Sequence, residues 1–345
     1  MLKFKNAVCF DDVLLVPRFS DIISRSDIEI STDLGKGVQL TLPVISSPMD
    51  TVTESEMVYR MDKAGGLGII HRYNSLEEQV KIVKDAIASG ATNIGAAIGV
   101  SGDYVERSIA LKNAGASILC VDVAHGHHVL VRHALKTIRQ TIGWDIHIMA
   151  GNVATLQAFN DLADWGADSV RVGIGGGSIC STRIQTGHGM PTLQSVLDCS
   201  NSDRPAALIA DGGMRNSGDV TKALAAGADA VILGSMLAGT AETPGEVFRA
   251  ANGDITKVYR GMASEEAQKD WRGKTSSVEG IATVIPYKGP VSRVLESLER
   301  GIRSGFSYSG CSSLTDFQCR SQFIKQTAAG ANESNTHIRN VEAKN

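Results

Sequence analysis

Short apolar runs recur along the chain, each bounded by Gly, Pro, Asn or Asp. Most of these runs are nearly continuous rather than alternating, which is typical of parallel strands that are buried on both faces. Eight runs therefore predict strands: LPVISS near 42, GLGIIH near 66, NIGAAIG near 93, SILCVDVA near 117, DIHIMAGN near 145, SVRVGIG near 169, ALIADGG near 207 and AVILGSM near 230.

Between these runs lie segments of helical periodicity, among them SLEEQVKIVKDAIASG, YVERSIALKNAGA, LVRHALKTIRQTI, LQAFNDLADWGA and DVTKALAAGA. Several of them end in Gly-Ala, which is a signal for the end of a helix. Eight strand-then-helix units predict an α/β fold, a (β/α)8 TIM barrel, as a single domain over residues 1–345. A doubly wound open sheet is the alternative fold, but it rarely needs eight successive strands of such regular spacing.

The bulk composition narrows the class of protein without changing this fold. The chain has 345 residues, of which 43% are hydrophobic and 21% charged, with a formal net charge of −3. This balance argues against a nucleic-acid partner, because such proteins are usually basic. The six cysteines form no CxxC pair and show no metal-ligand spacing, so we expect a reduced, cytoplasmic protein. There is no signal-peptide pattern and no apolar run of roughly 18 residues, so we expect no membrane partner.

The C-terminal ends of the predicted strands are rich in glycine and polar residues, and barrel active sites lie at those ends. After the sixth strand come Gly173, Gly175, Gly176 and Gly177, which let backbone N–H groups approach a ligand, and then the hydroxyl of Ser178. Glycines after the last two strands form the usual phosphate site of barrels. Here these two strand ends carry Asp211, Gly212, Gly213, Gly234 and Ser235. Each cluster alone also fits a tight turn, but the three together predict a phosphorylated small molecule as ligand.

Cys180 lies just beyond this glycine run. On a loop with oriented backbone N–H groups nearby, we interpret it as an exposed thiolate nucleophile. Thr182, two positions further on, can exchange a hydrogen bond with whatever Cys180 carries. We interpret the other five cysteines as inert buried residues: Cys9, Cys120, Cys199, Cys311 and Cys319.

The segment DVAHGHH adds Asp122 and the three histidines His125, His127 and His128. A histidine cluster suggests a metal, but these residues show no clear ligand geometry, so we do not expect zinc.

Many segments together resemble the inosine monophosphate dehydrogenase and guanosine monophosphate reductase family. They follow the family's order from about Phe10 to Ser334: CFDDVLLVP, SSPMDTVTE, GIIHR, DVAHGH, AGNVAT, GIGGGSICSTR, IADGG, SGDVTKALAAGADAVILGS, YRGM and PYKGPV. The resemblance implies a barrel that binds a purine nucleotide monophosphate and a nicotinamide cofactor. It also implies a covalent adduct at purine C2, which the dehydrogenase hydrolyses to xanthosine monophosphate. The reductase forms this intermediate from guanosine monophosphate with loss of ammonia and reduces it to inosine monophosphate.

The resemblance also implies a role for individual residues. Cys180 is the nucleophile, and Thr182 and Glu279 form the acid–base apparatus. The phosphate, ribose and base are held by Ser47, Met49, Gly177, Ser178, Asp211, Gly212, Gly213, Gly234, Ser235, Tyr259, Gly261 and Met262. The cofactor side consists of Asp122, Asn152 and Gly173. A loop for a monovalent cation, K⁺, is formed by the backbone carbonyls of Gly175, Gly177 and Cys180.

Two departures from the dehydrogenases favour a reductase that uses NADPH. Dehydrogenases usually insert a pair of cystathionine-β-synthase modules after the second barrel helix, but VKIVKDAIASGATNIGAAIGV passes straight to the next strand. This signal is imperfect, because both branches contain exceptions. Dehydrogenases also carry an adjacent Arg-Tyr dyad on a mobile flap, at about 263–285 here. The flap segment ASEEAQKDWRGKTSSV contains Arg272 but no tyrosine.

An NAD-dependent IMP dehydrogenase is the alternative, because SSPMDTVTE, DVAHGH and PYKGPV resemble that branch and Arg72 stands where reductases usually carry lysine. A non-catalytic purine nucleotide sensor is a third interpretation, although a sensor would need none of Cys180, Thr182 and Glu279. Family members are usually tetramers, so we expect a homotetramer. The polar tail at about 327–345 either reaches a neighbouring subunit or is disordered.

Overall fold

The eight predicted strands form a closed parallel barrel in the computed structural model, which describes residues 4–250 and 253–334. Three short strands precede them: β1 (Val13–Leu15), β2 (Thr32–Asp33) and β3 (Gln39–Leu40). The barrel strands are β4 (Val44–Ser46), β5 (Leu67–Ile70), β6 (Ile94–Ile98), β7 (Ile118–Asp122), β8 (His147–Val153), β9 (Ser169–Val172), β10 (Ala207–Asp211) and β11 (Ala230–Leu233). Each pairs with its neighbour in the chain, and β11 closes the ring against β4. The predicted fold class is confirmed.

Helices cover the barrel between successive strands. They are α1 (Ser55–Lys63), α2 (Leu76–Ala88), α3 (Tyr104–Ala114), α4 (Val129–Ile142), α5 (Leu156–Asp164), α6 (Thr182–Thr186), α7 (Thr192–Cys199) and α8 (Ser217–Ala225). The five segments of predicted helical periodicity form α2, α3, α4, α5 and α8. Only a short loop joins α2 to β6, so no module is inserted there. Within the described ranges no helix combines the length and the apolar composition needed to cross a membrane.

Two hydrophobic cores explain why the strands read as nearly continuous apolar runs. Alternate residues of a strand point to opposite faces of the sheet. In β7, Leu119 and Val121 belong to the core between barrel and helices, whereas Ile118 and Cys120 belong to the core inside the barrel. Both faces of each strand are therefore buried, and both sets of positions are apolar.

The hairpin of β2 and β3 closes the N-terminal end of the barrel. Leu34, Val38 and Leu40 are almost completely buried and belong to the same cluster as the inward-facing strand residues. His147, the first residue of β8, is also buried, and its Nδ1 lies 3.3 Å from the carbonyl oxygen of Gly35 in the hairpin.

After the barrel, the chain adds an outer sheet, a flap and a C-terminal cover. The elements are β12 (Phe248–Arg249), β13 (Ile255–Arg260), α9 (Glu265–Arg272), β14 (Ala282–Pro286), α10 (Val291–Ser309), α11 (Leu314–Arg320), β15 (Phe323–Lys325) and α12 (Ala328–Glu333). Strands β12, β13 and β14 form an antiparallel sheet, and β15 pairs with β1. Helix α9 and the turns around it form the flap. The predicted tail begins with α12, and its residues 335–345 lie outside the described part of the chain.

Candidate active site

A cavity of about 330 Å³ opens at the C-terminal end of the barrel. All the residues predicted for catalysis, nucleotide binding, the cofactor side and the cation loop line this cavity, from Ser47 to Glu279. Those that follow barrel strands meet because parallel barrel strands all end on the same side. The others, Tyr259, Gly261, Met262 and Glu279, reach the cavity from the outer sheet and the flap. The structure therefore assembles one site from the predicted set.

Cys180, Thr182 and Glu279 form a continuous chain of hydrogen bonds. The Cys180 Sγ donates to the Thr182 Oγ1 at 3.1 Å, and that hydroxyl donates to the Glu279 Oε2 at 2.8 Å. Cys180 is half-buried, and its backbone N–H donates to the carbonyl of Gly177 at 3.1 Å. The thiol is thus half-buried rather than exposed as predicted, because the loop turns back on itself and Cys180 pairs with Gly280 of the flap. The chain can carry a proton from the thiol to the carboxylate.

The return segment of the flap holds Glu279 in place. The Ser181 N–H donates to the carbonyl of Glu279 at 3.0 Å, and the Ile281 N–H donates to the carbonyl of Ile179 at 3.1 Å. The Glu279 N–H in turn donates to the carbonyl of Ala263 at 3.1 Å. Because Glu279 lies between the two stems of the flap, its position beside Thr182 depends on how the flap is folded.

The glycine-rich segments at the strand ends, residues 173–178, 211–213 and 234–235, are called the glycine cradle here. Two of its glycines leave little room for a larger side chain. Gly173 has a φ of 152°, and a Cβ there would lie 2.0 Å from the carbonyl oxygen of Asp211. A Cβ at Gly234 would lie 3.0 Å from the hydroxyl of Tyr259. That hydroxyl is hydrogen-bonded with Ser178, and burial raises the pKa of Tyr259 above its usual range. The cradle thus combines closely spaced backbone groups with neutral hydroxyls, a set that suits a phosphate and a sugar.

A line of alternating charges lies at the floor of the cavity, centred on the buried guanidinium of Arg171. Its Nη1 donates to the Asp122 Oδ1 at 2.7 Å, and its Nη2 donates to the Asp211 Oδ2 at 2.8 Å. Arg72 lies 3.6 Å from the other Asp122 oxygen, and the Asn152 amide donates to the Asp211 Oδ2 at 2.9 Å. Burial disfavours the charged guanidinium, but the neighbouring acids outweigh burial and raise the pKa of Arg171. The line orients the two carboxylates predicted to face the cofactor and the ribose.

Sequence analysis missed Arg171, although a signal was present. It is the single charged residue in the apolar run SVRVGIG. A charged residue in a strand that is buried on both faces needs partners of opposite charge, so it indicates nearby carboxylates.

Sequence analysis also missed an aromatic contact at the mouth of the cavity. The ring of Tyr73, which follows β5, stacks on Trp271 in the last turn of α9, with 6.0 Å between centroids and 21° between planes. The guanidinium groups of Arg72 and Arg272 lie 5.4 and 5.9 Å from the centre of the Tyr73 ring. No local pattern identifies this pair, because it forms only when the flap folds over the barrel. The start of helix α9 does have a local sequence signal, because Ser264 caps its first turn.

The loop predicted to bind a monovalent cation offers backbone carbonyl oxygens, which can replace the water shell of such an ion. One of the three, that of Gly177, already accepts the N–H of Cys180. A carbonyl has a second lone pair, so the residues fit a cation, and the K⁺ site stays a prediction.

Two of the three histidines of DVAHGHH, His127 and His128, have partners outside the cavity. The His127 Nε2 lies 2.7 Å from the Asp161 Oδ2, and its ring stacks on Trp165. The His128 Nδ1 accepts the N–H of Leu130 at the start of α4. In the part of the chain that the structure describes, no group of three or more His, Cys, Asp or Glu residues could hold a metal ion.

The other cysteines divide into two groups. Cys120, Cys199 and Cys311 are buried, as interpreted, and burial raises their pKa values to about 11, 12 and 11. Cys319 is exposed and Cys9 is half-buried, so the interpretation as buried residues is wrong for these two.

The chain matches the model of a protein family described as IMP dehydrogenase / GMP reductase domain, over residues 7–337. It is similar to the inosine-5'-monophosphate dehydrogenase of Nitrosopumilus maritimus, with 34% identity over 473 positions, covering 97% of this chain and 99% of the relative. It is also similar to the GMP reductase of Leishmania major, with 31% identity over 477 positions, covering 96% of this chain and 97% of the relative. A solved structure of GMP reductase from Trypanosoma brucei in complex with guanosine 5'-monophosphate superposes with a TM-score of 0.92 at 30% identity, covering 97% of this chain and 98% of that one.

The lengths of these alignments weaken the argument that a missing insertion after α2 favours a reductase. Both alignments, over 473 and 477 positions, are longer than this chain of 345 residues, so both relatives carry stretches that it lacks. Because the relative named GMP reductase is among them, a chain shorter than its relatives does not by itself separate a reductase from a dehydrogenase.

Proposed function

Since the chain belongs to the IMP dehydrogenase / GMP reductase family, whose members are oxidoreductases that act on purine nucleotides with a nicotinamide cofactor, we propose that it is a GMP reductase. The reaction is the NADPH-dependent reductive deamination of guanosine monophosphate to inosine monophosphate, with release of ammonia. The observation that supports this direction is the flap between Met262 and Glu279, which has no tyrosine beside Arg272. The flap offers Arg272 and Lys274 instead, and guanidinium and ammonium groups make poor bases for water.

Cys180 is the nucleophile of the proposed reaction. Its sulfur bonds to C2 of the purine, and the thiol proton leaves along the hydrogen bonds to Thr182 and Glu279. The same proton returns by this path to the 2-amino group, which leaves as ammonia. One S–H bond and one C–N bond are thus broken, and one S–C bond and one N–H bond are formed. After C2 is reduced, the C–S bond breaks and Cys180 leaves as a thiolate that takes up a proton.

The residues on the cofactor side fit a dinucleotide. Arg72, Tyr73, Asp122 and Asn152 line one half of the cavity. A guanidinium suits a phosphate, and carboxylate and amide groups suit ribose and carboxamide. When bound there, the nicotinamide supplies a hydride to C2. Arg171 fixes the Asp122 carboxylate from below, so this half of the site is ordered before the cofactor binds.

IMP dehydrogenase is the second candidate, and one observation favours it. The Arg272 guanidinium lies 5.9 Å from the centre of the Tyr73 ring. The fold therefore places a tyrosine from outside the flap beside the flap arginine. An arginine can take a proton from water only after its guanidinium has given one up, and a neighbouring phenol can assist that loss. In that case Tyr73 and Arg272 would take the place of the adjacent dyad.

The two directions are separated by incubating the purified protein with guanosine monophosphate and NADPH, and with inosine monophosphate and NAD. We expect NADPH oxidation, one ammonia for each inosine monophosphate, and little xanthosine monophosphate by chromatography. Robust xanthosine monophosphate formation that is lost in Arg272→Ala, but kept in the neighbouring control Lys274→Ala, would overturn the proposal in favour of the dehydrogenase. Turnover with neither pair would overturn it in favour of a nucleotide sensor.

The proposal includes a homotetramer in the cytoplasm and a K⁺ ion on the carbonyls of Gly175, Gly177 and Cys180. Light scattering tests the tetramer, and fluorescence microscopy of a tagged chain tests the location. Nucleotide binding in K⁺ against Li⁺ buffers tests the cation, which would order the loop around Cys180.

A further inference from the structure

The loop that bears Tyr73 is fixed to the barrel on both sides. The Tyr73 N–H donates to the His71 Nδ1 at 3.3 Å, and the His71 Nε2 lies 3.1 Å from the carboxylate of Glu54. The carbonyl of Asn74 accepts from the buried guanidinium of Arg107 at 3.2 Å. Tyr73 therefore presents its ring at the cavity mouth from a well-anchored position.

The flap meets this ring through the last turn of α9. The Trp271 ring stacks on Tyr73, and the Arg272 guanidinium lies near the same ring. Stacked aromatic rings and cations over ring faces attract each other beyond the area that they bury. A separate polar contact, from Arg260 to Asp270, also ties α9 to the outer sheet.

Helix α9 is coupled to the catalytic carboxylate through the return segment of the flap. The buried Gln268 accepts the Ser276 N–H at 2.8 Å and donates to the carbonyl of Ser277 at 3.0 Å. Glu279 follows two residues later and accepts from the Thr182 hydroxyl. A tilt of α9 therefore moves Glu279 relative to Thr182.

We propose that the stack of Trp271 on Tyr73, here called the clasp, holds the flap closed over the cofactor side of the site and keeps Glu279 against Thr182. Trp271 and Tyr73 are then positioning residues, and Tyr73 acts through its ring rather than through its hydroxyl. The closed flap also keeps bulk water away from the covalent intermediate. The effect on turnover rests on the proposed function, but closure is a property of the protein without substrates.

Closure is tested by alkylating the resting full-length protein with iodoacetamide and comparing the rates at Cys180 and at the exposed Cys319, which is an internal reference. We expect Trp271→Ala to raise the ratio of the Cys180 rate to the Cys319 rate about three- to tenfold, which is the change an ordinary aromatic pair imposes on an opening equilibrium. Tyr73→Ala should raise it equally, and the double variant should add nothing further. Trp271→Phe and Tyr73→Phe keep a ring in place and should stay near the wild-type ratio.

Turnover gives a second readout. Trp271→Ala should lower kcat at least about tenfold, because Glu279 is displaced, with a smaller change in KM for the nucleotide. Trp144→Ala is the matched loss of a tryptophan, since Trp144 is exposed next to the N-terminal end of β8, and it should change neither parameter.

An unchanged alkylation ratio in both Trp271→Ala and Tyr73→Ala would overturn the clasp even if guanosine monophosphate is consumed. A raised ratio in a protein that does not consume guanosine monophosphate would support the clasp and overturn the proposed function. Xanthosine monophosphate formation that disappears in Tyr73→Phe would assign the phenol a chemical role and overturn the clasp.

Discussion

At the N-terminal end of the barrel, a hairpin inserts Leu34, Val38 and Leu40 beneath the inward-facing strand residues, whereas at the C-terminal end a cavity of about 330 Å³ lies over the guanidinium of Arg171. At the lower end, the polar atoms of His147 meet a backbone carbonyl and a serine hydroxyl. At the upper end, glycines, paired charges and the half-buried Cys180 thiol line a cavity. The same eight strands thus end in a sealed core on one side and in a site on the other.

One strand can serve both ends of the barrel because its two termini meet different neighbours. Strand β7 contributes Ile118 and Cys120 to the inner core and ends in Asp122 at the cavity. Apolar side chains buried at the lower end stabilise the fold. The residues at the upper end are placed to contact a ligand instead. Substitutions at the lower end should therefore reduce stability, and substitutions at the upper end should reduce activity.

The largest expected effect is the loss of turnover in Cys180→Ala. Without the thiol there is no covalent route, so kcat should fall at least about 10³-fold, as is typical when a covalent nucleophile is deleted. The glycine cradle is intact in this variant, so binding of guanosine monophosphate by calorimetry should be largely unchanged. Cys319→Ala is the control, and substantial residual turnover in Cys180→Ala would contradict the covalent mechanism.

Glu279→Gln keeps the shape of the side chain but removes its capacity to take a proton from Thr182. We expect kcat to fall about 10²- to 10⁴-fold, the usual contribution of a positioned proton-transfer group, with the same range for Thr182→Ala. Steady-state kinetics and a thermal melt on the same samples should show lost activity without lost folding. Wild-type kinetics in either variant would contradict a role in proton transfer for that residue.

Leu40→Ala tests the lower end, where this side chain is completely buried. The substitution leaves a cavity beneath the inner core and should reduce the free energy of unfolding in urea by about 2–5 kcal/mol. The kcat of the folded variant should match the wild type, because the site lies at the other end of the barrel. Gln39→Ala, on the same strand but exposed, is the matched control, and a lowered kcat in Leu40→Ala would show that the ends are coupled.

The smallest expected effect is a pH dependence from His147. Burial lowers the pKa of His147 below its ordinary value of 6.5, although Asp168 opposes this. The folded protein therefore keeps the ring neutral where the unfolded chain already binds a proton. The free energy of unfolding should fall as the pH drops below about 6.5 and level off below the folded-state pKa.

Urea titrations at about pH 7.5 and about pH 5.5 should show a smaller difference in His147→Gln than in the wild type. His133→Gln, on the exposed face of α4, is the control. Equal differences in His147→Gln and the wild type would mean that the pH dependence has another origin.

The barrel and most of the residues that line the cavity could be predicted from the sequence alone. Continuous apolar runs at regular spacing predict strands that are buried on both faces, and eight of them with helices between predict the closed ring. The residues after each strand were then placed at one end of the barrel by topology alone. This is why the glycine run, Cys180 and Asp211 could be assigned to one site before any contact was known.

The contacts that hold these residues in place could not be predicted, because they join segments that are far apart in the chain. Glu279 reaches Thr182 across 97 positions, and Arg171 joins carboxylates 49 and 40 positions away. Tyr73 meets Trp271 only because the flap closes over β5. Strand and helix periodicity reports the environment of each segment, whereas such pairs depend on how distant segments are brought together when the barrel closes and the flap folds back. In the proposed reaction the direction depends on that arrangement, since the fold of the flap sets which groups lie near the intermediate.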